Sequence, residues 1–141
     1  MSEQTAYIMC RILEGVTSHG TGWEVKNKYK IKGATGGKTG TTQNNTDGWF
    51  MGITPNLAAG CWTGCEDQAI HFQSTANGSG ATMSLPIWSL FFQKVQADET
   101  LKIEFPDMFE PPKKKLTLEI DCAKFTEEDG GGGIDFNGGG E

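Results

Sequence analysis

Trp49-Phe50-Met51-Gly52-Ile53 is apolar at every position and lies between two turn signals, Asn44-Asn45-Thr46-Asp47-Gly48 before it and Thr54-Pro55-Asn56 after it. A run of that length bounded by turn residues reads as a β-strand, and one with no polar position reads as a strand covered on both faces. The proline sits where a type I turn favours it, so the chain reverses and Leu57 to Thr63 returns alongside. On the other side, threonine-rich Lys38 to Thr42 supplies a third strand. A buried strand must pair its backbone groups, so the three segments are expected to form an antiparallel meander.

Two amphipathic helices flank it. Ile8, Met9, Ile12, Leu13 and Val16 recur at helical spacing from Thr5 to Val16, with Thr5 in the N-cap position and glycines following at 15, 20 and 22. Ser84 to Ala97 carries a wide apolar stripe of Ile87, Trp88, Phe91, Phe92 and Val95 that calls for the aromatic middle strand as its partner. Between helix and sheet, lysines at 26, 28, 30 and 32 alternate with Asn27, Tyr29 and Ile31, as in an extended segment with one solvated face; a basic ligand groove is the alternative. Ala76 to Ala81 reads as a glycine- and serine-rich loop. The predicted fold class is α+β: a three-stranded antiparallel sheet with an N-terminal and a C-terminal helix packed on it. After Asp98, Pro106, Pro111 and Pro112 break the chain, and Leu116 to Ile120 alternates like one short strand. This divides the chain into residues 1–97, an irregular extension at 98–125, and a glycine- and acid-rich tail at 126–141.

Composition excludes several classes. The 141 residues allow one ordinary domain, and 36% hydrophobic with 21% charged residues describes a globular chain. No run is long enough to span a membrane, and Met1-Ser2-Glu3-Gln4-Thr5 lacks the basic start of an export signal. The net charge of −6 is concentrated in the tail: Glu127, Glu128, Asp129, Asp135 and Glu141 carry five of the six charges. The rest is nearly neutral and gives no electrostatic case for nucleic acid. Cysteines 10, 61, 65 and 122 are too scattered for a disulfide framework. Cys61, Cys65 and His71 fall short of the four ligands of a closed zinc site, so no metal or cofactor is expected. In one strand, Cys61 and Cys65 would share a face about 13 Å apart at ~3.3 Å per residue, too far for a disulfide, and are expected to be small buried residues.

Gly33-Ala34-Thr35-Gly36-Gly37-Lys38-Thr39 has the residue types of a phosphate-binding loop but not the spacing, because Lys32 stands where the first glycine belongs. Such a loop also opens a helix, whereas Thr41-Thr42-Gln43-Asn44-Asn45 leads into a turn. The better reading takes Lys38-Thr39-Gly40-Thr41 as a strand along a cleft edge. Lysine supplies an ammonium, the threonines supply hydroxyls for a carboxylate, glycine admits a ligand backbone, and a free N–H meets a carbonyl oxygen. Alternation puts Lys38 and Gly40 on one side and Thr39 and Thr41 on the other, so convergence on one carboxylate requires a twist or bulge near Gly40.

Gly36-Gly37-Lys38-Thr39-Gly40-Thr41-Thr42-Gln43-Asn44-Asn45, Asp47-Gly48-Trp49-Phe50-Met51-Gly52 and Trp62-Thr63-Gly64-Cys65-Glu66-Asp67 together resemble the end of the transpeptidase, or penicillin-binding, domain of class A bifunctional penicillin-binding proteins. Gly15-Val16-Thr17-Ser18-His19-Gly20-Thr21-Gly22 and Leu85-Pro86-Ile87-Trp88 are similar to the segments that precede and follow those motifs in the family. The resemblance covers roughly residues 3 to 97. It implies a D,D-transpeptidase that cross-links peptidoglycan stem peptides and is acylated by β-lactams. On this likeness Lys38 sets site electrostatics, Thr39, Gly40 and Thr41 bind substrate, and the Thr41 N–H forms half of an oxyanion hole, a kind of donor that contributes about 3–4 kcal/mol. Asp47, Trp49 and Trp62 are expected to serve turns and packing.

The family's S-x-x-K nucleophile motif and its S-x-N motif have no match: three residues beyond serines 2, 18, 74, 79, 84 and 89 stand Thr5, Thr21, Asn77, Thr82, Ile87 and Phe92. His19 and His71 are expected to make local loop hydrogen bonds. The chain therefore reads as one wall of an active site, inactive alone, whose partners are stem peptides, β-lactams and the N-terminal part of the same domain. Its parent would be anchored at the extracytoplasmic face of the bacterial cytoplasmic membrane, with this fragment itself soluble. An open sheet edge also predicts self-association. Two other classes compete: a non-catalytic peptide-carboxylate-binding module, and a structural or interaction module.

Residues 126–141 offer only Ile134 and Phe136 for burial against about 1–2 kcal/mol of backbone entropy per residue. Limited proteolysis should cut there first, before any cut within Ser84 to Ala97.

Overall fold

The computed structural model describes residues 1–116, and the chain divides into two compact units, Met1–Pro111 and Pro112–Glu141. Residues 112–116 of the second unit contain no helix or strand. The strand expected at Leu116 to Ile120, beyond Leu116 itself, lies outside the described residues, as do Cys122 and the tail.

The first unit runs α1 (Glu3–Ser18), α2 (Glu24–Asn27), β1 (Gly36–Thr41), β2 (Asp47–Ile53), β3 (Ala58–Gly64), α3 (Thr75–Gly78) and α4 (Ser84–Ala97). Helix α1 begins earlier than its apolar spacing predicts because Ser2, not Thr5, is the N-cap: its side chain accepts the Thr5 N–H at 3.1 Å. The strands form one antiparallel sheet in the order β1-β2-β3, as expected for an α+β meander. Register is continuous from Gly36 opposite Ile53 to Thr41 opposite Gly48, and from Asp47 opposite Gly64 to Ile53 opposite Ala58. The Thr54 N–H closes the second turn on the Leu57 carbonyl at 2.7 Å.

Helix α4 covers one face of the sheet. Phe50, Leu85, Trp88 and Phe92 are essentially inaccessible and form the core with Val25 and Ile31. Gly52 makes this possible, since a Cβ there would overlap the Trp88 indole. The indole lies edge-on to Phe50 (centroids 5.1 Å apart, 70° between planes) and stacks on Phe92 at 3.9 Å, while its Nε1 donates to the Ala59 carbonyl at 3.0 Å. Full burial of side chains this size stabilises by about 1.5–3 kcal/mol each. Phe105 packs on Phe92 with centroids 6.4 Å apart, and the Pro106 carbonyl accepts the Ala34 N–H at 2.6 Å, so part of the extension after Asp98 joins this core.

Four further expectations are corrected. Strand β2 is covered on one face only: Phe50 is buried while Trp49 and Met51 are 45% and 50% exposed. Trp49 to Ile53 are all apolar, yet successive side chains still point to opposite faces, and α1 packs along β1 rather than across the sheet. On α4 the inward stripe is Leu85, Trp88, Phe92 and Val95, with Ile87 and Phe91 half exposed, because the Gly52 slot fixes the helix rotation through Trp88. The lysine segment is not extended. It opens as α2, Lys26 is half-buried and donates to the carbonyls of Ile31 and Gly33, and Gln96 pairs with both backbone groups of Lys32 (2.9 and 3.1 Å). Burial lowers the Lys26 pKa, opposed by the nearby charges of Glu14 and Asp107. Also, Ala76 to Ala81 is not all loop, since its first residues belong to the short α3.

The fully buried Ser89 hydroxyl has no hydrogen-bond partner among the described residues. An unmatched buried hydroxyl destabilises by about 1–3 kcal/mol, which its removal relieves, and overfilling the Trp88 slot destabilises by a similar amount. Urea unfolding should therefore show Ser89→Ala at least as stable as the natural chain and Gly52→Ala less stable by about 1–3 kcal/mol.

Candidate functional site at the edge of β1

Strand β1 has one strand neighbour among the described residues, which leaves its other edge available. The Thr42 N–H donates to the Asp47 carbonyl at 3.0 Å, which makes Thr42 and Asp47 a hydrogen-bonded pair. Alternation then makes Thr41 opposite Gly48 and Thr39 opposite Phe50 non-hydrogen-bonded pairs. The N–H of Thr41 and the carbonyl of Thr39 therefore point away from β2, toward the open edge.

Side chains follow the same alternation. Thr39 and Thr41 share the face of Phe50, and Lys38 starts from the opposite face with Gly40. No bulge interrupts the register, so the convergence requiring one does not arise that way. Instead Lys38 folds over, its Nζ donating to the outward Thr39 carbonyl at 2.8 Å. One edge thus presents an ammonium, an N–H and two hydroxyls.

Two segments that carry no evident chemistry in the sequence meet those hydroxyls. Oγ1 of Thr21, in the loop between α1 and α2, lies 2.9 Å from Oγ1 of Thr39. The Gly80 N–H, just before α4, donates to Oγ1 of Thr41 at 3.1 Å. Gly80 rests on the backbone of the sheet: a Cβ there would strike the carbonyls of Gly40 and Trp49, and one on Gly48 would meet the Gly80 Cα at 3.0 Å. The only sequence trace of either contact is a pair of flanking glycines, in Gly20-Thr21-Gly22 and Gly78-Ser79-Gly80. Below the site, the Ser84 hydroxyl donates to the Gly48 carbonyl at 2.7 Å and meets Thr63 at 2.8 Å, fixing the start of α4 against β2 and β3.

Asp47 organises the turn between β1 and β2. Its carboxylate accepts from Trp62 Nε1 at 3.0 Å and from the hydroxyls of Thr42 and Thr46 at 3.2 Å each. These bonds, that of Trp62 foremost, hold its pKa below the ordinary 3.8. Asn44 and Asn45 take the left-handed backbone of this turn, with φ of 59° and 54°.

The remaining candidates lie apart. His71 Nδ1 contacts the Phe72 carbonyl at 3.1 Å, and the His19 N–H closes α1 on the carbonyls of Gly15 and Val16. Cys65 is exposed rather than buried because β3 stops at Gly64. Cys61 is partly buried, and desolvation raises its pKa, which disfavours a reactive thiolate. An apolar cavity of about 530 Å³ lies between the end of β3 and Ile70, Phe72, Met83 and Ile87, and none of residues 38–41 lines it.

No family model matches the sequence. Individual relatives do. The chain is 31% identical to penicillin-binding protein 1A of Rickettsia conorii over 106 residues, 74% of this chain and 13% of the relative. Identity to penicillin-binding protein 1A of Pseudomonas aeruginosa is 32% over 118 residues, 84% of this chain and 13% of the relative. In the crystal structure of penicillin-binding protein 1A from Haemophilus influenzae, the matching fold has a TM-score of 0.60 at 23% identity, covering 84% of this chain and 16% of that one. The chain belongs to the class A penicillin-binding proteins, as a segment spanning about 13% of the length of the curated relatives.

A folded-state pKa below the unfolded one gives Asp47 a stabilising effect that is complete above the unfolded value and lost as pH falls through the folded value. A carboxyl-carbon NMR titration should place its midpoint below 3.8, and Trp62→Phe should move that midpoint upward.

Proposed function

We propose that this chain supplies the substrate-binding strand of a peptidoglycan D,D-transpeptidase and forms no acyl-enzyme on its own residues. The observation that carries the reading is the edge of β1, where Lys38 Nζ, the outward Thr41 N–H and the hydroxyls of Thr39 and Thr41 border one strip of backbone. These groups suit a peptide ending in a carboxylate: Thr39 and Thr41 hold the carboxylate, Lys38 supplies the positive potential, and the Thr41 N–H stabilises the oxyanion formed at the attacked carbonyl. Gly40 leaves room for the ligand backbone. In this reading the chain acts with the nucleophile-bearing part of the domain, on stem peptides and β-lactams, at the extracytoplasmic face of the bacterial cytoplasmic membrane.

The serines support the assignment of the nucleophile elsewhere. Ser2 caps α1, Ser18 donates to the Glu14 carbonyl at 2.8 Å, Ser74 precedes α3, Ser79 pairs with Thr82 at 3.1 Å, Ser84 holds β2, and Ser89 is buried. None has a lysine three positions on to take its proton.

Labelled penicillin separates the readings. The isolated chain should take up no label, and a mixture with a separately expressed segment carrying S-x-x-K and S-x-N should be labelled on that segment. Thr41→Val should slow this labelling by about tenfold or more, the scale of a lost hydrogen bond to a charged group. Label on any serine of the isolated chain would refute the assignment, and labelling indifferent to Thr41→Val and Lys38→Ala would remove the role of this strand.

A further inference from the structure

A carboxylate accepts hydrogen bonds and donates none, so a threonine binds one only with its own hydroxyl proton. At Thr41 that proton is available, because its oxygen already serves as acceptor for the Gly80 N–H at 3.1 Å. At Thr39 the hydroxyl faces another hydroxyl, Thr21 Oγ1, at 2.9 Å, and either can donate. If Thr39 donates, its proton is spent within the chain and a lone pair meets the ligand. If Thr21 donates, the Thr39 proton is free.

We propose that Thr21 is a positioning residue for carboxylate binding at the β1 edge: it donates to Thr39, which in turn donates to the ligand. The inference rests on the reading of Lys38 to Thr41 as a carboxylate-binding strand and adds a residue that the strand itself does not contain. An anion selects this arrangement, since only a rotation about the C–O bond separates the two, and hydrogen bonds aligned in one sense polarise one another. The Thr21 backbone is well placed to hold its side chain. The N–H groups of Gly20 and Gly22 on either side bond to the Val16 carbonyl at 3.1 and 3.0 Å, fastening the loop to the end of α1. Helix α1 is in turn fixed to the start of β1, through the Thr17 hydroxyl donating to the carbonyl of Thr35, the residue before the strand, and through Leu13 lying over Gly36. Thr21 and Thr39 are thus carried by two elements with a common anchor.

N-acetyl-D-alanyl-D-alanine and its C-terminal amide, titrated into the full chain with the amide signals of Lys38 to Thr41 as readout, test this. Thr21→Val, which keeps the shape and removes the hydroxyl, should weaken binding of the acid about two- to tenfold, the equivalent of one neutral hydrogen bond, and leave the amide unchanged. Thr21→Ser should restore the acid to within about twofold. In a Thr39→Val background, Thr21→Val should have no further effect, because the pathway runs through Thr39. Equal binding of the acid by the natural chain and Thr21→Val overturns the inference alone. So does a loss that persists in the Thr39→Val background. A natural chain whose strand amides respond to neither peptide overturns the carboxylate-binding reading, and this inference with it.

Discussion

The insertion of Trp88 into the slot left by Gly52 sets the position of nearly everything else in the first unit. It places α4 on the sheet in one rotation, with Phe50 below and Phe92 stacked behind, and the indole N–H bound to the Ala59 carbonyl registers the helix along β3. From that docking follow the Ser84 contact with Gly48 one turn earlier and the seating of Gly80 on the backbone of β1 and β2. The Gly80 N–H then reaches Thr41. An aromatic ring packed in the core is therefore connected to the aim of a hydroxyl at the sheet edge by rigid contacts only.

A second set of constraints enters from the opposite end of the chain. Helix α1 is held to the start of β1 by Thr17 and Leu13, and the loop after it delivers Thr21 to Thr39. Strand β1 is thus gripped at alternate residues by segments from both sides of the sequence. The Asp47 turn closes the remaining freedom by tying Thr42, Thr46 and Trp62 to one carboxylate. The edge of β1 that pairs with no strand among the described residues is thus buttressed by other means.

The order of elements and the position of α4 were legible because they rest on periodicity and turn chemistry, which are local. The strand with Lys38 was legible for the same reason, and its meaning came from the motifs on either side. What escaped the sequence depends on direction. Trp49 and Phe50 are equally apolar, and only the placement of α4 decides that one is exposed and the other buried. The lysines at 26 to 32 alternate as a strand would, yet the backbone is captured by Gln96 from 64 residues away. Thr21 and Gly80 had no chemical signal of their own, since a hydroxyl and a backbone N–H acquire a role only from what stands opposite them.

The two hydroxyls of the edge differ in how they can be lost. Thr39 leans on a side chain, so a single base change at codon 21 suffices to erase its support while the fold stands. Thr41 leans on a main-chain N–H, a group that every residue except proline carries and that therefore survives almost any change of identity. Yet the residue supplying it lies flat against the carbonyls of Gly40 and Trp49, where no larger one fits. One support is chemically specific and sterically tolerant; the other is chemically generic and sterically absolute. Inherited variation would thus tune the first by degrees and meet the second as a threshold.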